Sequence, residues 1–265
     1  NGSGDIGWQG IGRISGRPWM IDETKFWHFG VSAGHTTVNN QYRADGTFSQ
    51  ANATAGQNSG GMSFVGFLGT NVDRTNVLNT GNLTSGSNDS PDARRIDSYD
   101  RYGAETALVY GPFSAQAEYL RTNINGLNYS GEHLTGYYGY LSYFLTGESR
   151  AYHVRNGAWN RIVPNKSFHW NGTGLGAWEF AVGYDYLNMN NGKIRGGEAD
   201  MIRFALNWYP HTHVRVMTNV NHVLNLNTAG VVNYNAAGEP IANDRSQGFH
   251  DANITSFLTR VQVDF

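Results

Sequence analysis

The stretch Ser256-Phe-Leu-Thr-Arg-Val-Gln-Val-Asp-Phe265 decides the fold. Phe257, Thr259, Val261, Val263 and Phe265 fall on one side of an extended chain, and Ser256, Leu258, Arg260, Gln262 and Asp264 fall on the other. The period is two, so the segment reads as a strand with one oily face and one largely polar face.

The same alternation recurs upstream. A first strand is expected near Trp8–Ser15, followed by a turn over Arg17–Thr24; then Trp27, Phe29, Val31 and Ala33 alternate with His28, Gly30, Ser32 and Gly34. Trp178, Phe180, Val182, Tyr184 and Tyr186 form another apolar row, opposed by Ala177, Glu179, Ala181, Gly183 and Asp185. Ile202, Phe204, Leu206 and Trp208 repeat the pattern, as do Val214, Val216, Thr218 and Val220 after a turn at Pro210–Thr212. The clearest hairpin runs from Tyr102–Tyr110 to Phe113–Arg121. With Gly111 and Pro112 as its two loop residues, Ala104, Thr106, Leu108 and Tyr110 face Tyr119, Ala117, Ala115 and Phe113. A further strand is expected over Tyr137–Leu145, and one or two short strands around Thr70–Arg74. Residues 37–61 and the stretch leading to Asp251 read as long polar loops, and residues 149–171 show no strand period.

Composition agrees with an all-β chain that meets lipid. Charged residues are 15% of 265, below the roughly 25% of ordinary globular proteins, whereas there are 34 Gly, 15 Tyr and 7 Trp. No stretch approaches the ~18 consecutive apolar residues of a membrane helix, and the mean hydropathy is -0.48. A transmembrane barrel escapes that test because half of each strand faces water. Tight turns at Gly111-Pro112 and Pro210–Thr212, with long polar connections elsewhere and aromatics at strand ends, suit an antiparallel transmembrane β-barrel. A guanidinium at mid-membrane on the lipid side costs roughly 2–4 kcal/mol. Arg13, Arg203, Arg215 and Arg260 are therefore expected to line a water-filled lumen, together with Glu105, Glu118, Glu179 and Asp185 on the same faces. A water-soluble sandwich is the competing architecture, and such aromatic outer rows argue against it.

Longer stretches carry a resemblance. The carboxy-terminal aromatic strand is similar to the last strand of bacterial outer-membrane barrels. Tyr102-Gly-Ala-Glu-Thr-Ala-Leu-Val-Tyr-Gly-Pro-Phe-Ser-Ala-Gln-Ala-Glu-Tyr119, Tyr143-Phe-Leu-Thr-Gly-Glu-Ser-Arg150, Gly176-Ala-Trp-Glu-Phe180 and Asn207-Trp-Tyr-Pro210 resemble the phosphate-selective porins O and P of Gram-negative outer membranes. The resemblance implies a homotrimer of 16-stranded barrels in the outer membrane, in contact with membrane lipid and lipopolysaccharide, passing small anions or other hydrophilic solutes. About ten or eleven strands are expected in residues 1–265, read as one porin domain lacking the family's amino-terminal strands. No signal-peptide pattern is read at Asn1–Trp8.

The resemblance also suggests where the channel narrows. Residues 149–171 hold Arg150, His153, Arg155, Arg161 and Lys166 with no acid among them, and counting strands back from the end puts them on the periplasmic side. In the family one such turn folds into the lumen, so these residues are expected to form an electropositive constriction. Glu105 and Glu118 oppose each other in the hairpin register, and like charges so placed repel. An Arg of this basic segment is the expected partner. The family's arginine ladder would fall near residues 60–80, where this chain has only Arg74. A general or mildly anion-preferring pore is thus expected rather than strict phosphate selectivity.

Other chemistries find no support. Gly2-Ser-Gly-Asp-Ile-Gly7 has the letters of a dinucleotide fingerprint without its strand and helix. His211-Thr-His213 lacks a third metal ligand nearby. No catalytic triad is legible. The net charge of -2 gives no nucleic-acid footprint. No enzyme activity, cofactor or metal is expected. The alternative function is a structural or adhesive barrel whose loops bind a partner, with a membrane-embedded enzyme behind it.

Overall fold

The computed structural model describes residues 8–38, 62–69, 77–84, 94–228 and 249–264. Its elements in chain order are β1 (Gln9–Asp22), β2 (Lys25–Thr37), β3 (Val65–Gly66), β4 (Leu78–Asn79), β5 (Arg95–Tyr110), β6 (Phe113–Leu127), β7 (His133–Phe144), β8 (Tyr152–His153), β9 (Ala158–Trp159), β10 (Ala177–Asn191), β11 (Ile194–His211), β12 (Val214–Asn227) and β13 (Thr255–Val263). Nine long strands form one antiparallel sheet in the order β1-β2-β5-β6-β7-β10-β11-β12-β13, and β3-β4 and β8-β9 are separate ribbons. Nine long strands stand among the described residues; the expected ten or eleven included one or two around Thr70–Arg74, which lie outside them. Strands β1 and β13 each have one partner.

The period-two pattern produces this sheet in the expected register. Ala104, Thr106, Leu108 and Tyr110 face Tyr119, Ala117, Ala115 and Phe113, and Glu105 faces Glu118. Strand ends differ more. β1 runs on through Arg17, Pro18 and Trp19, so the first turn is only Glu23-Thr24. Pro18 sits at a register shift between Gly16 and Trp19, on an edge strand where its missing N–H costs no ladder bond. Likewise β11 continues through Pro210 and His211 past a shift after Trp208, leaving Thr212-His213 as the turn. At one end of the sheet the connections are therefore 23–24, 111–112, 145–176 and 212–213. The other end carries the long connections 38–94 and 228–254, but also the short turns 128–132 and 192–193. Short and long connections do not simply alternate between ends.

One face of the sheet is apolar and open. Trp27, Phe29, Val31, Leu141, Phe204, Leu206, Phe257, Val261 and Val263 are all exposed on it. Aromatics bound this band. Tyr110, Tyr143, Phe180 and the stacked pair Trp178–Trp208, centroids 5.5 Å apart, lie towards the tight-turn end. Tyr102, Tyr119 and the stacked pair Tyr137–Tyr186, centroids 4.8 Å apart, lie towards the other. Asp200 and Trp208 sit eight positions apart on β11, about 26 Å along a strand at ~3.3 Å per residue. That suits a tilted strand crossing an apolar band ~25 Å tall.

The opposite face is polar or covered by the chain itself. At the loop end, Val77, Leu78 and Leu83 are buried with Ile96, Tyr99, Ile124, Leu134, Met189, Val223 and Leu226, so the β3-β4 ribbon lies against the inner wall. Asn221 on β12 donates to the Gly69 carbonyl at 3.4 Å, so this ribbon reaches from β5 and β6 towards the far side of the sheet. The expected strand around Thr70–Arg74 lies outside the described residues, as does most of the polar loop after Thr37.

The two short turns at the loop end are joined by Glu132. Its carboxylate accepts from the Ser130 N–H at 2.6 Å and the Lys193 N–H at 3.4 Å. Burial pushes the Glu132 carboxyl up, but backbone N–H groups of Ser130, Glu132 and Lys193 outweigh it and hold it below its ordinary value of 4.5. A folded-state value depressed in this way stabilises the fold above the ordinary value and loses that contribution as pH falls through the lower one. We expect Glu132→Gln to lose about 1.5–3 kcal/mol at neutral pH. Urea-unfolding midpoints in detergent should show the gap between wild type and variant closing only in acid, below about pH 4.5.

Candidate functional site

The long connection at the tight-turn end turns back over the polar face. Its β8-β9 hairpin is held to the wall by side chains from both directions along the sheet. Arg13 on β1 binds the Glu105 carboxylate on β5, with Nε to Oε1 at 2.9 Å, and donates from Nη2 to the Gly157 carbonyl at 2.8 Å and from Nη1 to the Asn156 carbonyl at 3.2 Å. Gly157 has φ of 58°, and a Cβ there would stand 2.8 Å from Ser15 Oγ and 3.3 Å from the Arg13 guanidinium. Only glycine allows the hairpin tip to come this close.

Glu105 has a second partner. His28 Nε2 lies 2.9 Å from Glu105 Oε1, and His28 Nδ1 lies 2.7 Å from the Tyr152 hydroxyl. A carboxylate only accepts, so Nε2 carries the proton and Nδ1 takes the Tyr152 O–H. Burial holds the Tyr152 hydroxyl above its ordinary value against the pull of Arg17 and Arg13, which keeps it a donor. Arg17 also stacks over the Phe26 and Tyr152 rings at 5.2 Å from each centroid. A cavity of about 180 Å³ remains between Arg13, His28, Glu105, Gln116, Tyr152 and Trp159.

A neighbouring network anchors the other arm. Arg150 forms an ion pair with Glu179, which is fully buried and also accepts from Asn207 Nδ2 at 3.0 Å and the Tyr209 hydroxyl at 2.9 Å. Trp159 Nε1 donates to Gln116 Oε1 at 2.5 Å, Gln116 Nε2 donates to the Tyr138 hydroxyl at 2.8 Å, and Tyr138 bonds Glu118.

Sequence-expected residues thus separate into three groups. Glu105, Glu179 and Asp185 are neutralised by Arg13, Arg150 and Arg203 respectively. The expected bridge from the basic segment to the Glu105–Glu118 pair does not form. Arg13 and His28 already surround Glu105, and Arg150 is drawn to the fully buried Glu179, where an unpaired charge would cost most. Arg150 and Glu179 are consequently an anchor rather than a water-facing pair. Arg215 and Arg260 lie on the polar face, Arg215 bonded to Gln262 at 2.8 Å. His153, Arg155, Arg161 and Lys166 are exposed, Arg161 lying 3.1 Å from His213 Nδ1. Arg74 lies outside the described residues.

Several residues on this face were not singled out from the sequence. Arg101, opposite Gly34 and Thr122, shares the face of Glu105 and stacks over Tyr99 at 5.3 Å. Extending the Tyr102–Tyr110 alternation backwards would have found it. His28, Tyr152 and Trp159 carry no such signal, because their partners are distant in sequence.

An outer apolar face, an inner charged face and an in-folded hairpin describe a barrel wall, and the sequence matches one family of such walls. The family model for phosphate-selective porin O and P matches residues 14–233. The chain belongs to that family. These are outer-membrane porins of Gram-negative bacteria, channels rather than enzymes. The chain is 32% identical over 164 residues to an uncharacterized protein of Caulobacter vibrioides, covering 62% of this chain and 30% of that one. It is 32% identical over 127 residues to Porin O of Pseudomonas aeruginosa, covering 43% of this chain and 27% of that protein. The matched region spans less than a third of either relative.

Among the contacts of this wall, Arg150–Glu179 gives the sharpest stability test. Arg150→Ala leaves a buried carboxylate without its cation and is expected to cost about 3–5 kcal/mol, whereas replacing both residues by Met should recover only part of that loss, because Asn207 and Tyr209 then lose their acceptor. Unfolding midpoints in detergent micelles measure both.

Proposed function

We propose that this wall is part of a closed outer-membrane barrel that lets small hydrophilic solutes diffuse across, with a preference for anions. Closure requires more strands than the nine described, since an open edge in hydrocarbon would leave backbone groups unpaired at several kcal/mol each. Membership of the family supports a 16-stranded barrel and a homotrimer in contact with lipid and lipopolysaccharide.

The observation that carries the preference is the inner-face charge remaining after ion pairing. Glu105, Glu179 and Asp185 are each cancelled by an arginine. Arg101, Arg155, Arg161, Arg215 and Arg260 have no acid partner among the described residues, whereas the acids without a cation on this face and its connection are Glu118, Glu148 and Asp264. A surplus of fixed cations along a water-filled wall raises the local anion concentration. The in-folded hairpin supplies the narrowing and Arg155 stands on its tip. Among the described residues no multidentate phosphate cradle is formed, so the reading stops at anion preference.

Reversal potentials in a KCl gradient across a planar bilayer test the charge. Replacing Arg101, Arg155, Arg215 and Arg260 by Gln should move the reversal potential towards that of a cation-preferring pore. The shift should be larger at ~0.1 M salt, where screening extends ~10 Å, than at ~1 M, where it extends ~3 Å. An unchanged potential, or no conductance from wild type, overturns the reading. Single-channel recording tests the narrowing. Gly157→Val should free the hairpin tip and give a larger, noisier open current, because its side chain would displace Arg13 and Ser15.

A further inference from the structure

The connection that supplies the hairpin has a second half, and it goes the other way. Lys166–Gly176 leaves the polar face and lies against the aromatic band on the apolar face. Phe168 N–H donates to the Pro210 carbonyl at 2.8 Å, and the Trp178 and Trp208 indoles both donate to the Leu175 carbonyl, at 3.1 and 2.8 Å. Gly176, at φ of 72°, permits this contact, since a Cβ there would lie 2.6 Å from the Tyr209 carbonyl and 2.9 Å from Trp208 Nε1. Phe168 meets Trp208 edge-on at 5.2 Å, and Trp170 meets Phe168 edge-on at 5.0 Å. The aromatic row of the lipid-facing wall thus continues past the end of the strands, onto the loop.

Trp170 closes that row with 94% of its surface exposed, and Leu175 on the same loop is 63% exposed. A loop built only to cap the barrel would not leave its largest apolar side chain in water. Tryptophan concentrates at the membrane interface because its ring is apolar and its N–H is not. Lys166 and exposed His169 on the same loop suit headgroup phosphates.

We propose that residues 166–176 are a phospholipid-binding foot that lays Trp170, Phe168 and Leu175 into the headgroup–acyl boundary beneath the tight-turn end. This rests on the outer-membrane reading above. One connection then does two things: its first arm narrows the lumen, and its second grips the leaflet. The foot fixes the depth of the barrel end from which the narrowing segment hangs.

The chain contains no cysteine, so a single introduced one is a unique probe site. Trp170→Cys and, as an inward-arm control, Val154→Cys carry an environment-sensitive fluorophore in vesicles of phosphatidylethanolamine and phosphatidylglycerol. Lipids spin-labelled near the headgroup should dim the probe at 170 by about twofold, and aqueous iodide should quench it much less than the probe at 154. Equal iodide quenching at both positions overturns the foot, as does protection of 170 from both quenchers, which would mean protein covers it. Ion conductance of the same vesicles is read in parallel. Conducting channels with an iodide-accessible 170 defeat the foot alone, and lipid-quenched 170 without conductance defeats the porin reading alone.

Discussion

Hydrocarbon offers no hydrogen-bond partner, and that constraint governs the whole molecule. Each backbone N–H and C=O inside it must find another strand, so the chain is spent on long antiparallel neighbours with few residues between them. The same medium rejects charge, and alternation therefore assigns the guanidiniums deepest in the strands to one side of the wall, while Arg121, nearer the loop end, lies on the other. Arg13, Arg203, Arg215 and Arg260 share a face for that reason, while Phe29, Leu141 and Phe204 share the other. Near the loop end the outer face relaxes its rule. Tyr184 and Tyr186 there hydrogen-bond Asp200 and Glu198, at 2.8 and 2.6 Å, where hydrated headgroups can take over from hydrocarbon.

On the inner side, charge is organised by pairing first and by exposure second. Of the carboxylates nearest the in-folded hairpin, Glu105 is matched by Arg13 from another strand and Glu179 by Arg150 from the connection itself, and these pairs are what hold the hairpin down. Arg13 and Arg150 are thus committed to the scaffold, whereas Arg101, Arg155 and Arg260 on the same surface have no acid partner among the described residues.

The sequence displayed the sheet better than it displayed the site. Apolar rows and the Gly111-Pro112 hairpin were legible because a period of two is local information, fixed by neighbours one or two positions away. Prolines misled at both ends: Pro18 and Pro210 read as turn residues, yet each lies within a strand beside a register shift that excuses its missing N–H. The ribbons β3-β4 and β8-β9 are two residues per strand, too short for any period. Partners of Glu105 stayed hidden for a different reason. Arg13 is 92 positions away, and only the register of two successive pairings brings it within reach. Burial of Glu179 was equally invisible, since alternation assigns a side but not what covers it.

The hairpin's attachments have a consequence for the order of assembly. Its tip is bonded by Arg13 on β1, its centre by His28 on β2 and Gln116 on β6, and its root by Glu179 on β10. No pair of adjacent strands provides all of these sites, and β10 follows the hairpin in the chain. The hairpin reaches its final seat only once strands on both sides of it have zipped together. Its seat therefore exists only where β1, β2, β6 and β10 stand in their final register together.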